Sequence, residues 1–213
     1  MKSIRKGVLW IVLVASFWAC NKGKDPEPAL PSYLRVPASM DSYTGSGLVT
    51  VEGSGLRMRA EGPEQFNAST KTYSGVLGDI SQDDIYINFT VGQPRPYQER
   101  TSVPNQYWAY GSLRIMNTLT PGTYRMGIQE SPGPRGEIAD LTMNLPGPQV
   151  YVTNSGSLTI TESTVIKTEG SSTLRRVKGT FQAVMYADGI GIPTSGRNPN
   201  ISGTFDVLLL ANN

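Results

Sequence analysis

Two of the side chains that most often carry out chemistry are almost missing here. Histidine is absent from all 213 positions, and cysteine occurs once, as Cys20. Ser-His-Asp and Cys-His arrangements therefore cannot be assembled, and neither can histidine-based zinc sites. The sequence holds no P-loop, no Gly-x-Ser-x-Gly elbow and no dinucleotide fingerprint. Carboxylates, a Ser–Lys pair, tyrosine and arginine remain. Asp79, Asp83 and Asp84 form the densest acidic group. Such a group can bind calcium or supply an acid and a base, but its spacing lacks the alternating ligands, central glycine and late glutamate of a calcium loop. Its place just before an apolar run reads as a solvated turn. No metal, cofactor or catalytic residue is expected, and the chain reads as a non-enzyme. The alternative, a glycan hydrolase, would need two acids facing each other across a cleft about 5–10 Å wide.

The aromatic side chains suggest binding instead. Tyr97 lies in a connection spanning 92–106 that contains Pro94, Pro96 and Pro104 and leads into Tyr107-Trp108-Ala109-Tyr110. On a strand Trp108 and Tyr110 share one face and Tyr107 takes the other. Beside that connection they would form a flat stacking platform for a sugar or another apolar ring, so Tyr97, Trp108 and Tyr110 are the candidate ligand-binding residues. The bland alternative puts Trp108 in the core and leaves the tyrosines half-buried with their hydroxyls wet. Residues 131–136 and 188–200 are two further Pro/Gly-rich connections, and together the three could form a binding rim.

Cys20 is a candidate lipidation site. Lys2, Arg5 and Lys6 precede an apolar run over 7–18, and Ala19 stands directly before the cysteine. A basic head, a short apolar run and a small residue at the cut describe an export signal, and the run is too short to span a bilayer, which takes about 20 residues. The segment resembles a bacterial lipoprotein signal, with Phe17 where leucine is usual. The resemblance implies cleavage after residue 19, an acylated, palmitate-bearing Cys20, and a chain held at the outer membrane on the periplasmic or the cell-surface side. The charge balance changes accordingly. The 19 Lys+Arg and 17 Asp+Glu give a net of +2; without the three basic residues of the signal, 16 face 17, a net of −1. No basic patch suited to nucleic acid is left. With its one cysteine acylated, the body forms no disulfide and depends on its apolar core.

Residues 20–41, with Pro26, Pro28, Pro31 and Pro37, show no apolar periodicity and read as an extended tether. From residue 42 to 213 the chain reads as a single domain of short alternating runs separated by Gly, Pro, Asn or Ser. Strands are expected over 47–51, 56–61, 72–77, 85–91, 107–116, 123–128, 138–145, 150–153, 157–162, 174–187 and 201–210. Ile85, Ile87, Phe89 and Val91 alternate with Tyr86, Asn88 and Thr90, the mark of a half-buried strand. No helical stripe appears. Roughly ten strands at this spacing predict an all-β fold, an antiparallel β-sandwich or a lipocalin-like barrel. Two echoes recur, Gly111-Ser112-Leu113-Arg114-Ile115 with Gly156-Ser157-Leu158-Thr159-Ile160, and Lys178-Gly179-Thr180-Phe181 with Ser202-Gly203-Thr204-Phe205. They read as glycines at strand-entry bends or bulges. These C-terminal segments and the signal resemble small secreted lipoproteins of the Bacteroidetes type. That resemblance implies an all-β sandwich or lipocalin-like body and brings no catalytic residues. The expected function is a membrane-anchored, non-enzymatic binding module for a glycan, a protein or an apolar ligand; the alternatives are the carboxylate-dependent glycan hydrolase and a structural or assembly lipoprotein.

Overall fold

A computed structural model describes residues 29–81, 84–94, 109–116, 118–127, 139–144, 150–188 and 199–212. The described residues are 76% strand, with no helix, and all eleven strands belong to one sheet. In chain order they are β1 (Ser46–Gly53), β2 (Leu56–Glu61), β3 (Gln65–Asn67), β4 (Thr72–Ser81), β5 (Asp84–Pro94), β6 (Ala109–Ile115), β7 (Gly122–Gly127), β8 (Ala139–Asn144), β9 (Val150–Glu169), β10 (Ser172–Asp188) and β11 (Asn200–Asn212).

Neighbouring strands pair antiparallel from β3 through β6, β8 pairs with β6, and β9, β10 and β11 form a long meander. Two strands split between partners. β9 pairs with β8 over Val150–Val152 and with β7 over Ser155–Ile160. β11 pairs with β1 over Ser202–Leu208 and then, parallel, with β4 through Leu210 and Ala211. The pairings therefore run in a circuit, β11–β10–β9–β8–β6–β5–β4 and back to β11. Register shifts at Leu174/Arg175, Lys178/Gly179 and Val184/Met185 punctuate β9–β10, adding the local twist that long curved strands need.

Alternation puts one apolar set inside. Ile85, Ile87 and Phe89 of β5, Leu113 and Ile115 of β6, Leu141 and Met143 of β8, and Leu158 and Ile160 of β9 share a single core with Phe181 and Phe205. The second sequence echo has a cross-strand cause. In the β10–β11 register Gly179 faces Phe205, and Phe181 faces Gly203. A Cβ at Gly179 would land on the Phe205 ring, and one at Gly203 on the Phe181 ring. Each ring lies over the glycine of the other strand, so the two segments match because they are mutual partners. Phe89 covers Gly111 in the same way, whereas Gly156 lies against the backbone of Gln182 and Ala183. The first echo thus joins two glycines with different jobs. The bulge reading holds at Gly179, beside a register shift; at Gly111 and Gly203 the ring of the facing strand is the constraint.

The packed body starts upstream of residue 42. Leu34 and Met40 are 3% and 4% exposed, and with Leu174, Leu208 and Leu210 they form a second apolar cluster outside the main core. Within the segment expected to be a loose tether, the residues from Leu30 onward are therefore a strap across the outer face of β10 and β11. Its apolar side chains have partners about 170 residues away, which local periodicity cannot reveal. The run Phe205-Asp206-Val207-Leu208-Leu209-Leu210-Ala211 is buried throughout because the core covers one face of β11 and the strap covers the other.

Candidate functional site

The strap is fastened by polar contacts as well as by Leu34 and Met40. The Tyr33 phenol donates to Asp206 Oδ2 at 2.8 Å, and Ser46 Oγ donates to the Tyr33 carbonyl at 2.7 Å. Asp206, 6% exposed, also accepts a bidentate pair from Arg176, Nε to Oδ1 at 2.8 Å and Nη2 to Oδ2 at 2.7 Å. Hydrogen bonding to Asp206 holds the Arg176 guanidinium more firmly protonated than usual. Burial, aided by the bond to Asp206, pushes the Tyr33 phenol up, and burial alone pushes the Tyr43 phenol up. Tyr43 donates to the Leu208 carbonyl at 3.0 Å.

Held this way, the strap forms one wall of a groove of about 730 Å³. Ser32, Tyr33 and Arg35 line that wall; Glu61 ends β2, Gly62 and Pro63 follow it, and Gln65, Phe66, Asn67, Thr72 and Ser74 come from the β3–β4 hairpin. The chain leaving β2 crosses β4 at close range, with Val76 N–H donating to the Gly62 carbonyl and Glu64 N–H to the Val76 carbonyl. Gly75 permits the crossing at φ 130°, since a Cβ there would strike the Pro63 carbonyl oxygen. Beyond the crossing, Asn67 Oδ1 accepts the N–H groups of Ser69 and Thr70 at 2.9 and 3.2 Å, an Asx turn that closes the hairpin. Phe66 and Tyr73 face each other across it with ring centroids 5.0 Å apart, and Phe66 remains 44% exposed. The volume is in the range of small-ligand sites. An exposed ring among planar amides and hydroxyls suits a ligand with one apolar face and many hydroxyl groups. No family model, curated protein or solved structure matches the chain.

The candidates read from sequence fare differently. Cys20, Tyr97 and Trp108 lie outside the described residues, as do residues 131–136 and most of 188–200. Tyr110 is on β6, half-buried, and its phenol donates to Asn88 Oδ1 at 2.9 Å. It belongs to a polar outer face on β5, β6 and β8 that is already knitted together. Arg114 donates to Asp84 at 2.7 Å and lies over the Tyr86 ring at 5.3 Å, and Tyr86 donates to Asp84 at 3.2 Å. Of the acidic trio, Asp79 is an exposed position on β4, Asp83 lies outside the described residues, and Asp84 is ion-paired rather than solvated because Arg114 sits beside it. Asp140 faces Arg114 from β8; burial raises its carboxyl above the ordinary range, and Arg114 partly offsets this. Among the described residues no group of three potential metal ligands occurs.

The groove escaped sequence reasoning because its two walls come from a segment that reads as tether and a hairpin with a three-residue strand. The usable signal was Gln65-Phe66-Asn67, an aromatic residue directly before an Asn-led turn.

Proposed function

We propose that the chain is an extracytoplasmic lipoprotein, anchored to the outer membrane through acylated Cys20, whose β body is a closed barrel that binds a glycan and does not transform it. The circuit of strand pairings and the single core behind it support the barrel. The basic head, apolar run and Ala19-Cys20 junction support the anchor. The absence of histidine and the engagement of Asp84 by Arg114 support binding without turnover.

The observation that carries the glycan reading is the exposed Phe66 ring inside a polar-walled groove. A pyranose laid on that ring buries roughly 50 Å² of apolar surface on each partner, about 2.5 kcal/mol at about 25 cal/mol per Å². Phe66→Ala should therefore weaken glycan binding by at least about tenfold in calorimetric titration and leave the fold intact, because the ring is outside the core. A variant that binds as tightly as the parent would remove the groove as the site. For the anchor, Cys20→Ala should move the protein from the membrane fraction to the soluble fraction; continued membrane association of the variant would sink the lipidation reading.

A further inference from the structure

The groove has a charge asymmetry that narrows its ligand. Two charged residues line it, Arg35 and Glu61. Glu61 is spoken for: Arg59 contacts its Oε2 from Nε at 3.0 Å and from Nη2 at 2.8 Å. Arg35 is exposed, and among the described residues no carboxylate lies within ion-pair distance of it. The groove therefore holds, in one lining, a guanidinium with no carboxylate partner among the described residues, the exposed Phe66 ring, and neutral amides and hydroxyls.

The strap fixes the backbone that carries that guanidinium. The residue before it, Leu34, is buried in the outer apolar cluster, and its N–H donates to the Pro31 carbonyl at 2.9 Å. Tyr33 is bonded at both its phenol and its carbonyl. Only the side-chain torsions of Arg35 remain to be ordered when a ligand arrives, which lowers the cost of binding. A guanidinium binds a planar acid group through two parallel N–H donors, a geometry that a neutral hydroxyl does not match.

We propose that the groove selects an acidic saccharide, a pyranose stacked on Phe66 whose acid group is held by Arg35. This rests on the groove being the glycan site and goes beyond it by naming the ligand class. A carboxylate sugar and a sulfated sugar share the required chemistry, so the test carries both.

The experiment titrates the detergent-solubilised full-length chain with oligogalacturonate, with a sulfated galactan oligomer and with neutral cello- and xylo-oligosaccharides. At least one acidic probe should bind about tenfold or more tightly than the neutral ones, and that preference should shrink between 50 and 500 mM salt. Arg35→Gln should lower acidic affinity about tenfold, change neutral affinity less than twofold and leave the melting temperature unchanged; Arg35→Lys should restore part of the loss. Equal binding of acidic and neutral probes, still abolished by Phe66→Ala, overturns the acidic selectivity and leaves the glycan site standing. Acidic preference insensitive to Arg35→Gln also overturns it. Binding of every kind insensitive to Phe66→Ala, or no binding at all, overturns both readings.

Discussion

Asp206→Asn tests whether the strap is held by the Asp206 contacts or merely lies along the sheet. Asp206 accepts three hydrogen bonds, two from Arg176 and one from Tyr33. Asparagine keeps the shape, removes the charge and turns one acceptor into a donor facing donors. Removing one partner of a buried ion pair costs about 3–5 kcal/mol, because the other charge stays desolvated. Two features reduce that cost here: the Arg176 side chain is 18% exposed, and Glu162 lies 3.6 Å from it. A loss of about 2–3 kcal/mol is therefore expected. At about 2–4 °C per kcal/mol for a body of this size, the melting temperature should fall by about 4–12 °C. Tyr33→Phe deletes only the phenol bond and should cost about 1 kcal/mol. The double variant discriminates. Asp206→Asn leaves the phenol at best a neutral amide oxygen in place of a carboxylate, a weaker acceptor, so the two changes should cost less together than their sum, by up to about 1 kcal/mol. Calorimetry of the four proteins gives the cycle, and hydrogen exchange at Leu34 and Met40 should speed up in Asp206→Asn. A melting temperature within 2 °C of the parent, or strictly additive costs, would refute the latch.

Gly203→Ala should destabilise the body by about 1–3 kcal/mol in urea titration, since its Cβ would land on the Phe181 ring and the Thr50 carbonyl oxygen; a change below 0.5 kcal/mol would mean the ring does not rest on that glycine. Asp140 gives a pH signature. Burial raises its folded-state pKa, so the fold binds this proton more tightly than the unfolded chain does; the associated stability is complete below the ordinary aspartate value near 3.9 and is lost as pH rises through the folded value. Asp140→Asn should therefore raise the melting temperature relative to the parent at pH 7 and by less at pH 4, and the opposite order in a pH series would count against it.

The strands were legible because alternation over Ile85–Phe89, Leu158–Ile160 and Phe205–Leu209 records burial on one face, and one face is all a sheet strand needs to show. What misled is where neighbours decide. Asn154-Ser155-Gly156 has the composition of a turn, yet it lies inside the single strand β9, at the point where β9 leaves β8 for β7. Gln65–Asn67 is too short to carry a period. The Leu208 and Leu210 side chains spoiled the alternation of β11, and that spoiling was itself the message: a strand apolar on both faces must be covered on both. The cover was Leu34 and Met40, concealed by the prolines around them. Whether Tyr110 would be exposed or half-buried was left open by the sequence, and its engagement by Asn88 depends on the β5–β6 register, which no single strand encodes.

The strap ties the two halves of the functional reading together. Eight residues separate Cys20 from Ala29, so the two are at most about 30 Å apart along an extended chain. On the proposed acylation of Cys20, the first contact of the body, at Leu30, would lie within about that distance of the bilayer, with Tyr33, Leu34 and Arg35 following along the chain. The groove wall that carries the Arg35 guanidinium is therefore the part of the described body nearest in sequence to Cys20. On the proposed anchor, a pull on the lipid would enter the fold at Leu30 and then at Tyr33 with its bond to Asp206, before reaching the main core. An ion pair with a shared phenol resists such a load better than an apolar contact alone, because its hydrogen bonds are directional, whereas an apolar contact can slide along the sheet. On that reading the polar latch beside the groove would do two jobs: it holds the backbone that carries Arg35, and it would keep a pull on the anchor from reaching the groove wall.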